Sequence, residues 1–436
     1  MDMPVAEFAR RRRQLMRMIG ADAIAIVAAA PERVRSNDTL YPYRQNSDFH
    51  YLCGFPEPDA VLVLVPGRAA GETLLFCRER DPDRERWDGP RAGLEGAVEQ
   101  YGADDAYPIG DIDDILPGLI EGRSRIHFHI GRDAEFDQRL IGWVNRVRAD
   151  ARRGAVPPHE ISALGSLLNE MRLLKSRAEL KLMREAARIS VRAHQRAMAA
   201  TRPGLREYHI EAELLAEFRR GDGVPAYECI VGAGANACVL HYRAGPAELR
   251  DGELLLIDAG AEFRNYAADI TRTFPINGRF SPAQRALYDV VHDAQSAAID
   301  CARVGQPYSA MHDAAVKVLT EGLIALGLIE GPLRTALKEE RYRPYYMHKT
   351  GHWLGLDVHD VGDYRIDGHW RELEAGMVCT IEPGLYIAPD APVAAKWRGI
   401  GIRIEDDVLV GREGPEVLTR ALPGAAADIE ALVGSG

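Results

Sequence analysis

The stretch Glu253-Leu-Leu-Leu-Ile-Asp258-Ala-Gly260 ends an apolar run on a carboxylate, and Ala268-Asp269-Ile-Thr-Arg272 sets a second one shortly afterwards. Short apolar, β-branched runs bounded by glycine or charge read as buried strands. A tight turn around Phe263–Arg264 places Asp258 directly opposite Asp269. Facing positions of paired strands hold Cβ atoms about 4.5–5.5 Å apart. Two carboxylates that close repel each other unless a cation lies between them. Either aspartate alone reads as a solvent-facing strand end, whereas the pair on apolar strands reads as a cation site.

The same device recurs downstream. Cys379-Thr-Ile-Glu382-Pro-Gly384 and Gly401-Ile-Arg-Ile-Glu405-Asp-Asp each embed one glutamate in an apolar run. Buried carboxylates are rare unless paired or bound to metal. Side chains two residues apart on a strand share a face, so Arg403 and Glu405 point the same way. Arg403 can then orient the metal-binding carboxylates from behind; the plainer alternative is a surface ion pair with Asp407.

Strands are expected at Leu254–Asp258, Ala267–Thr273, Val378–Glu382, Gly401–Glu405 and Val408–Val410. Helices cover them. Ser176 and Glu179 form a capping-box pattern opening a helix to about Ala199. A second helix spans about Glu207–Gly221, and Ser281-Pro282 opens a third that reaches about Arg303. Helices on a mostly antiparallel sheet make residues 173–436 an α+β domain. Residues 1–172 alternate instead, with a helix at Ala6–Ile19 and strands at Ala23–Ala28, Ala60–Val65, Thr73–Cys77 and near Arg125–Ile130. This is an α/β domain, and the Gly/Pro-containing stretch from Ala151 to Pro158 suits the connection.

The segment His348-Lys-Thr-Gly-His352-Trp-Leu-Gly-Leu-Asp-Val-His359-Asp-Val-Gly362 gathers three histidines among glycines, a composition that lets backbone approach a ligand closely. The histidines at 50, 127, 129, 159, 194, 209, 292, 312 and 369 lack such neighbours and read as structural. Four carboxylates and one imidazole, His352, make an oxygen-rich, hard ligand set that leans towards Mn²⁺, with Co²⁺ or Zn²⁺ also compatible. Two ions are implied. Bridging carboxylates hold such a pair about 3.5–4 Å apart, which generates a hydroxide near neutral pH and polarises a carbonyl.

Composition narrows the remaining classes. The 436 residues are 46% hydrophobic and 27% charged, ordinary for soluble globular chains. The net charge of −11 is dispersed, with no basic stripe for nucleic acid. Six scattered cysteines without a CxxC pair suggest neither zinc-thiolate nor disulfide framework and fit a cytoplasmic setting. The basic run Arg10–Arg13 before Ile19–Ala30 resembles a signal peptide superficially, but Asp22 interrupts the apolar part, and a helix followed by a buried strand is preferred. No stretch approaches the roughly 18–20 apolar residues of a membrane span. Gly232-Ala-Gly234-Ala-Asn236 lacks the third glycine of a dinucleotide fingerprint and reads as a bend. No serine nucleophile elbow or phosphate-binding GxxxxGK[ST] occurs.

The ordered series Asp258, Asp269, His352, Glu382, Glu405, with HWLGLDVHDVG (352–362) and GIGIRIEDD (399–407), resembles the pita-bread metallopeptidases, and within them the aminopeptidase P (Xaa-Pro aminopeptidase) family. Tyr41-Pro-Tyr-Arg-Gln-Asn-Ser-Asp-Phe49 and Trp87-Asp-Gly-Pro-Arg91 resemble segments of that family's N-terminal domain, so the likeness covers nearly the whole chain. It implies a pita-bread catalytic domain at 173–436 and an N-terminal domain at 1–172 serving oligomerisation and substrate access. The implied reaction is hydrolysis of the bond between an N-terminal residue and a following proline, with two Mn²⁺ ions.

By the same resemblance, Asp258 holds one ion, His352 and Glu382 the other, and Asp269 and Glu405 bridge them. A metal-bridging hydroxide attacks the carbonyl, and Glu382 serves as general base and then acid. His359 and His241 stabilise the oxyanion and place the substrate, and His348 lines the proline side. Trp87 reaches a neighbouring subunit's active site in a homodimer or homotetramer, or is simply a partly buried N-domain tryptophan. Lys349-Thr350-Gly351 and Ala375, which stands where proline is expected, depart from the usual family spelling and affect local loop geometry.

Two rival readings share the fold. A prolidase cleaving Xaa-Pro dipeptides has the same five ligands, so substrate length separates it. A catalytically inactive peptide-binding platform would be metal-free yet ligand-competent, and a metal-independent relative acting on creatine has no need of this carboxylate set.

Overall fold

The computed structural model describes residues 2–435 and divides into two compact units, Met1–Met171 and Arg172–Gly436. In the first, a six-stranded mixed sheet runs in the order Asp105–Pro108, Thr73–Cys77, Val61–Leu64, Ala23–Ala28, Arg125–Phe128, Glu160–Ala163. Its core joins Ile24, Ile26, Val63, Phe76 and Ile126 to Leu116, Leu140 and Trp143 of two helices. Two expected strands are shorter than predicted, closing at Leu64 and Phe128. The predicted connection is followed by one more strand, Glu160–Ala163, parallel to Arg125–Phe128.

The basic run that mimicked a leader has a structural use inside the helix Val5–Ile19. Arg11 and Arg12 are buried and donate to the carbonyls of Tyr51 and Leu52, each at 3.0 Å, while Arg12 also reaches the Gly102 carbonyl at 2.8 Å. Backbone acceptors thus hold both guanidinium groups, and Glu7 lies 3.4 Å from Arg11 Nε as its counter-charge, as burial requires. No helix among the described residues is long and apolar enough to cross a membrane.

In the second unit every named strand pairing is antiparallel. Leu254–Asp258 lies between Ile230–Ala233 and Thr271–Pro275, Val378–Ile381 pairs with Asp406–Val410, and Gly384–Ile387 with Ile400–Arg403. Helices Arg177–Ala200 and Pro282–Asp300 open on complete capping boxes, Ser176/Glu179 and Ser281/Gln284, with Pro282 in the first turn. Helix Glu207–Arg220 packs beside the first of these. The core combines Leu287, Val291, Leu319 and Leu323 from helices with Cys379, Ile381, Ile402 and Val408 from strands.

The hairpin that carries Asp258 and Asp269 differs from expectation in register. The turn centres on Arg264 and Asn265, both with positive φ (52° and 68°), one residue beyond the expected site. Moving a turn centre by one residue moves every cross-strand partner by two. Asp258 therefore faces Thr271, not Asp269. Because the slip is even, the face is kept, and Asp269 becomes a diagonal neighbour of Asp258 on the same side. The predicted strand Ala267–Thr273 is also interrupted: Tyr266–Ala267 and Thr271–Pro275 flank a gap in which the Asp269 amide leaves the ladder for the Asp407 carboxylate, at 3.2 and 3.3 Å. Across the gap a Cβ on Gly260 would lie 1.7 Å from the Ala268 carbonyl oxygen, so only glycine admits this crossing.

Candidate metal centre and active site

Glu382 and Glu405 were expected inside strands but sit one or two residues past their ends, after Val378–Ile381 and Ile400–Arg403. Strand ends suit ligands, since the side chain is aimed by the ladder while its backbone is released to turn. Asp269, His352 and Glu405 each offer a ligand atom within 4.8 Å of the others. His352 Nε2 stands 3.4 Å from Asp269 Oδ2 and 3.8 Å from Glu382 Oε1. Its Nδ1 lies 3.0 Å from the Trp353 carbonyl, which leaves Nε2 for the carboxylates.

Asp258 joins the group through Tyr227, whose hydroxyl lies 2.6 Å from Asp258 Oδ1 and 2.5 Å from Asp269 Oδ1. Sequence reasoning missed Tyr227, which stands in an irregular segment with no motif around it. Arg403 makes its ion pair with Asp258 rather than Asp407: Nη2 donates to Asp258 Oδ2 at 2.6 Å, Nη1 to Tyr386 Oη at 3.0 Å and Nε to Thr271 Oγ1 at 3.2 Å. Thr271 in turn donates to Glu405 Oε2 at 2.6 Å. The fork geometry of a guanidinium thus ties three elements to the acidic cluster.

Of the other expected residues, His348 lies 2.9 Å from the Tyr386 hydroxyl and 3.8 Å from Glu382. His359 is exposed and meets His352 edge-on, ring centroids 4.2 Å apart. His241 is exposed and makes no hydrogen bond or ion pair with the cluster among the described residues. Trp87, on the helix Pro82–Asp88 of the first unit, is 86% exposed.

The electrostatics follow from burial and crowded charge. Burial pushes Glu382 up to about 7 against the opposing pull of His352 and Arg403. Burial also raises Glu405 well above the usual carboxylate range, with Asp269 and Glu382 adding repulsion. Asp258 is raised by burial despite Arg403, whereas Asp269 is lowered because His352 overcomes its burial. His352 moves the other way, to about 9: burial lowers it, but the hydrogen bond and charge of Asp269 prevail. Four carboxylates converge on one guanidinium and one imidazole, so the donor set fits cations and leaves like charges crowded without them.

Helices laid over an antiparallel sheet, with carboxylates and an imidazole converging at its strand ends, define a metal-dependent hydrolase of the pita-bread kind. Residues 181–412 match metallopeptidase family M24, and residues 8–128 match the aminopeptidase P N-terminal domain. The Xaa-Pro aminopeptidase of Escherichia coli (strain K12) is 43% identical over 98% of this chain and 97% of its own. An aminopeptidase from Pseudomonas aeruginosa superposes with TM-score 0.98 at 58% identity, covering 99% of this chain and 98% of that one. Proline aminopeptidase P II from Yersinia pestis superposes with TM-score 0.96 at 45% identity, covering 99% of each. The chain belongs to metallopeptidase family M24, in the branch that carries the aminopeptidase P N-terminal domain. Membership implies divalent metal ions as cofactor.

Proposed function

We propose that the chain is an aminopeptidase that hydrolyses the bond between an N-terminal residue and a following proline in Xaa-Pro-Xaa peptides. The carrying observation is the convergence of Asp269, His352 and Glu405 on one point, beside Asp258 and Glu382, in a chain similar along its whole length to Xaa-Pro aminopeptidases. Asp258, Asp269, His352, Glu382 and Glu405 would hold two ions, Mn²⁺ by preference for oxygen donors, with Co²⁺ or Zn²⁺ as substitutes. When bound, the ions supply an ionised water near neutral pH and polarise the scissile carbonyl.

The chain's own residues do the rest. Glu382 Oε takes the nucleophile's proton and returns it to the leaving proline nitrogen. Arg403 fixes Asp258 and, through Thr271, Glu405. His359 donates to the developing oxyanion, and His241 places the substrate from the rim. Burial holds His348 down to about 4, so it is neutral; with Tyr386 it forms a wall suited to an apolar proline ring.

Residues 1–172 serve subunit association and substrate access in this reading, as a homodimer or homotetramer. The bare indole of Trp87 supports a contact with another subunit. Six free cysteines suit a reducing, cytoplasmic setting. Prolidase activity is not favoured, since the full-length relatives are Xaa-Pro aminopeptidases. The test is a Mn²⁺-dependent assay of Xaa-Pro-Xaa beside Xaa-Pro. Release of the first residue of the tripeptide is expected, and turnover of dipeptides alone would reject the assignment.

A further inference from the structure

His359 sits in residues 354–362, a segment with neither helix nor strand. No protein hydrogen bond holds its imidazole among the described residues, so its aim is set by the backbone that carries it. That backbone is held by the next residue. Asp360 is buried, and its carboxylate accepts from Arg172 Nη2 at 2.5 Å, from Lys175 Nζ at 2.9 Å and from the Asp357 amide at 3.4 Å. The side chains of Lys175 and Asp360 are each 1% exposed. Arg172 also donates to Asp357 at 2.7 Å, so one guanidinium grips the segment at two points.

The packing is close. A Cβ on Gly355 would lie 2.2 Å from Asp360 Oδ2 and 3.0 Å from Lys175 Cε. The Gly355 carbonyl accepts from the Ala267 amide at 2.8 Å, which links the segment to the hairpin bearing Asp269. Burial raises the Asp360 carboxyl, but Lys175 and Arg172 outweigh it and hold the group below its ordinary range, hence ionised. Buried ion pairs compare poorly with apolar packing as a source of stability, yet breaking one is costly and its geometry is narrow. Such a cluster is better suited to fixing a position than to strengthening a core.

We propose that Asp360, clamped by Lys175 and Arg172, is a positioning residue that aims His359 at the substrate carbonyl. The inference rests on the aminopeptidase reading above. A displacement of about 1 Å at a reacting centre costs on the order of 100-fold, so the clamp acts on turnover without touching substrate.

The test is a double-mutant cycle on the full, metal-loaded chain with Ala-Pro-Ala as substrate. Asp360→Asn is expected to lower kcat/KM by roughly 10- to 100-fold with metal content unchanged, and to cause no further loss in a His359→Ala background. Losses that multiply across the two sites would overturn the proposal. Lys175→Met takes the place of Asp360→Asn in the same cycle if the latter fails to fold. Hydrogen exchange supplies a readout independent of turnover: amides of residues 354–362 should exchange faster in either clamp variant. Unchanged protection there overturns the anchoring whether or not wild type is active. A wild type that leaves Ala-Pro-Ala intact while the clamp variants release the segment defeats the aminopeptidase reading and leaves the anchoring standing.

Discussion

Arg403 Nη2 donates to Asp258 Oδ2 across 2.6 Å, between residues 145 positions apart in the chain and both buried. Only a guanidinium can reach Asp258, Tyr386 and Thr271 together, because its donors diverge from one plane. Arg403→Lys should keep the charge and lose the fork. Metal affinity is expected to fall about 10- to 100-fold, read by titrating Mn²⁺ into the metal-stripped variant. Wild-type affinity would show that the fork does not orient the carboxylates.

Glu382→Gln preserves size but removes the ionisable carboxyl and with it the proton transfer. The expected drop in kcat is about 10²- to 10⁴-fold, with the circular dichroism spectrum unchanged. Metal content should be measured on the same sample, since Glu382 is also a proposed ligand, and a fully loaded, fully active variant would remove it from the proton path.

Gly260→Ala forces a methyl group against the Ala268 carbonyl, where the backbone leaves 1.7 Å. Overpacking of this kind costs about 1–3 kcal/mol, and relief requires a backbone shift between the segments that carry Asp258 and Asp269. Urea denaturation should show lower stability, and metal binding should weaken with it. A fully stable, metal-replete variant would mean that the two strands can separate at no cost.

His194 is wholly buried with Nε2 2.9 Å from the Ala259 carbonyl, and burial pushes it down to about 4 from 6.5. Between those values the unfolded chain takes up a proton that the folded chain refuses, so stability falls as the pH drops through this window. The loss amounts to about 2 kcal/mol between about pH 7 and about pH 5. Denaturant unfolding of wild type and His194→Gln at both values should show a shallower pH dependence in the variant. Identical slopes would place the titrating group elsewhere.

Stripping metal with a chelator should lower the thermal midpoint and abolish peptidase activity, and adding Mn²⁺ back should restore both. At a free metal concentration 100 times its Kd, binding to the native state alone contributes about 2.7 kcal/mol. A midpoint indifferent to chelation and re-addition would argue against a metal centre built from these five side chains.

Local signals carried far in this chain. The strands Ala23–Ala28, Thr73–Cys77 and Leu254–Asp258 begin and end where apolar patterning places them, and the Ser176 and Ser281 caps open their helices as their sequences dictate. Each depends on residues within one turn or one strand, so a linear reading contains the needed information. The family resemblance was equally local, resting on contiguous runs such as 352–362 and 399–407.

What failed was long-range placement. One residue's error in the turn at Arg264 and Asn265 shifted the partner of Asp258 by two positions, and the choice of turn depended on which residues accept positive φ. The even slip preserved the face, so both aspartates still converge on Tyr227. Arg403 pairs with Asp258, while the nearby Asp407 accepts from the Asp269 amide.

Which side chains are available for metal chemistry, and which short elements carry them, is a local matter, because hydrophobic period, caps and ligand type are properties of neighbouring residues. How those elements meet is settled only on folding: the Tyr227 bridge, the Arg403 fork and the Asp360 clamp each join segments far apart in the chain. Their partners are selected by register, burial and charge compensation, which exist only once the strands have paired.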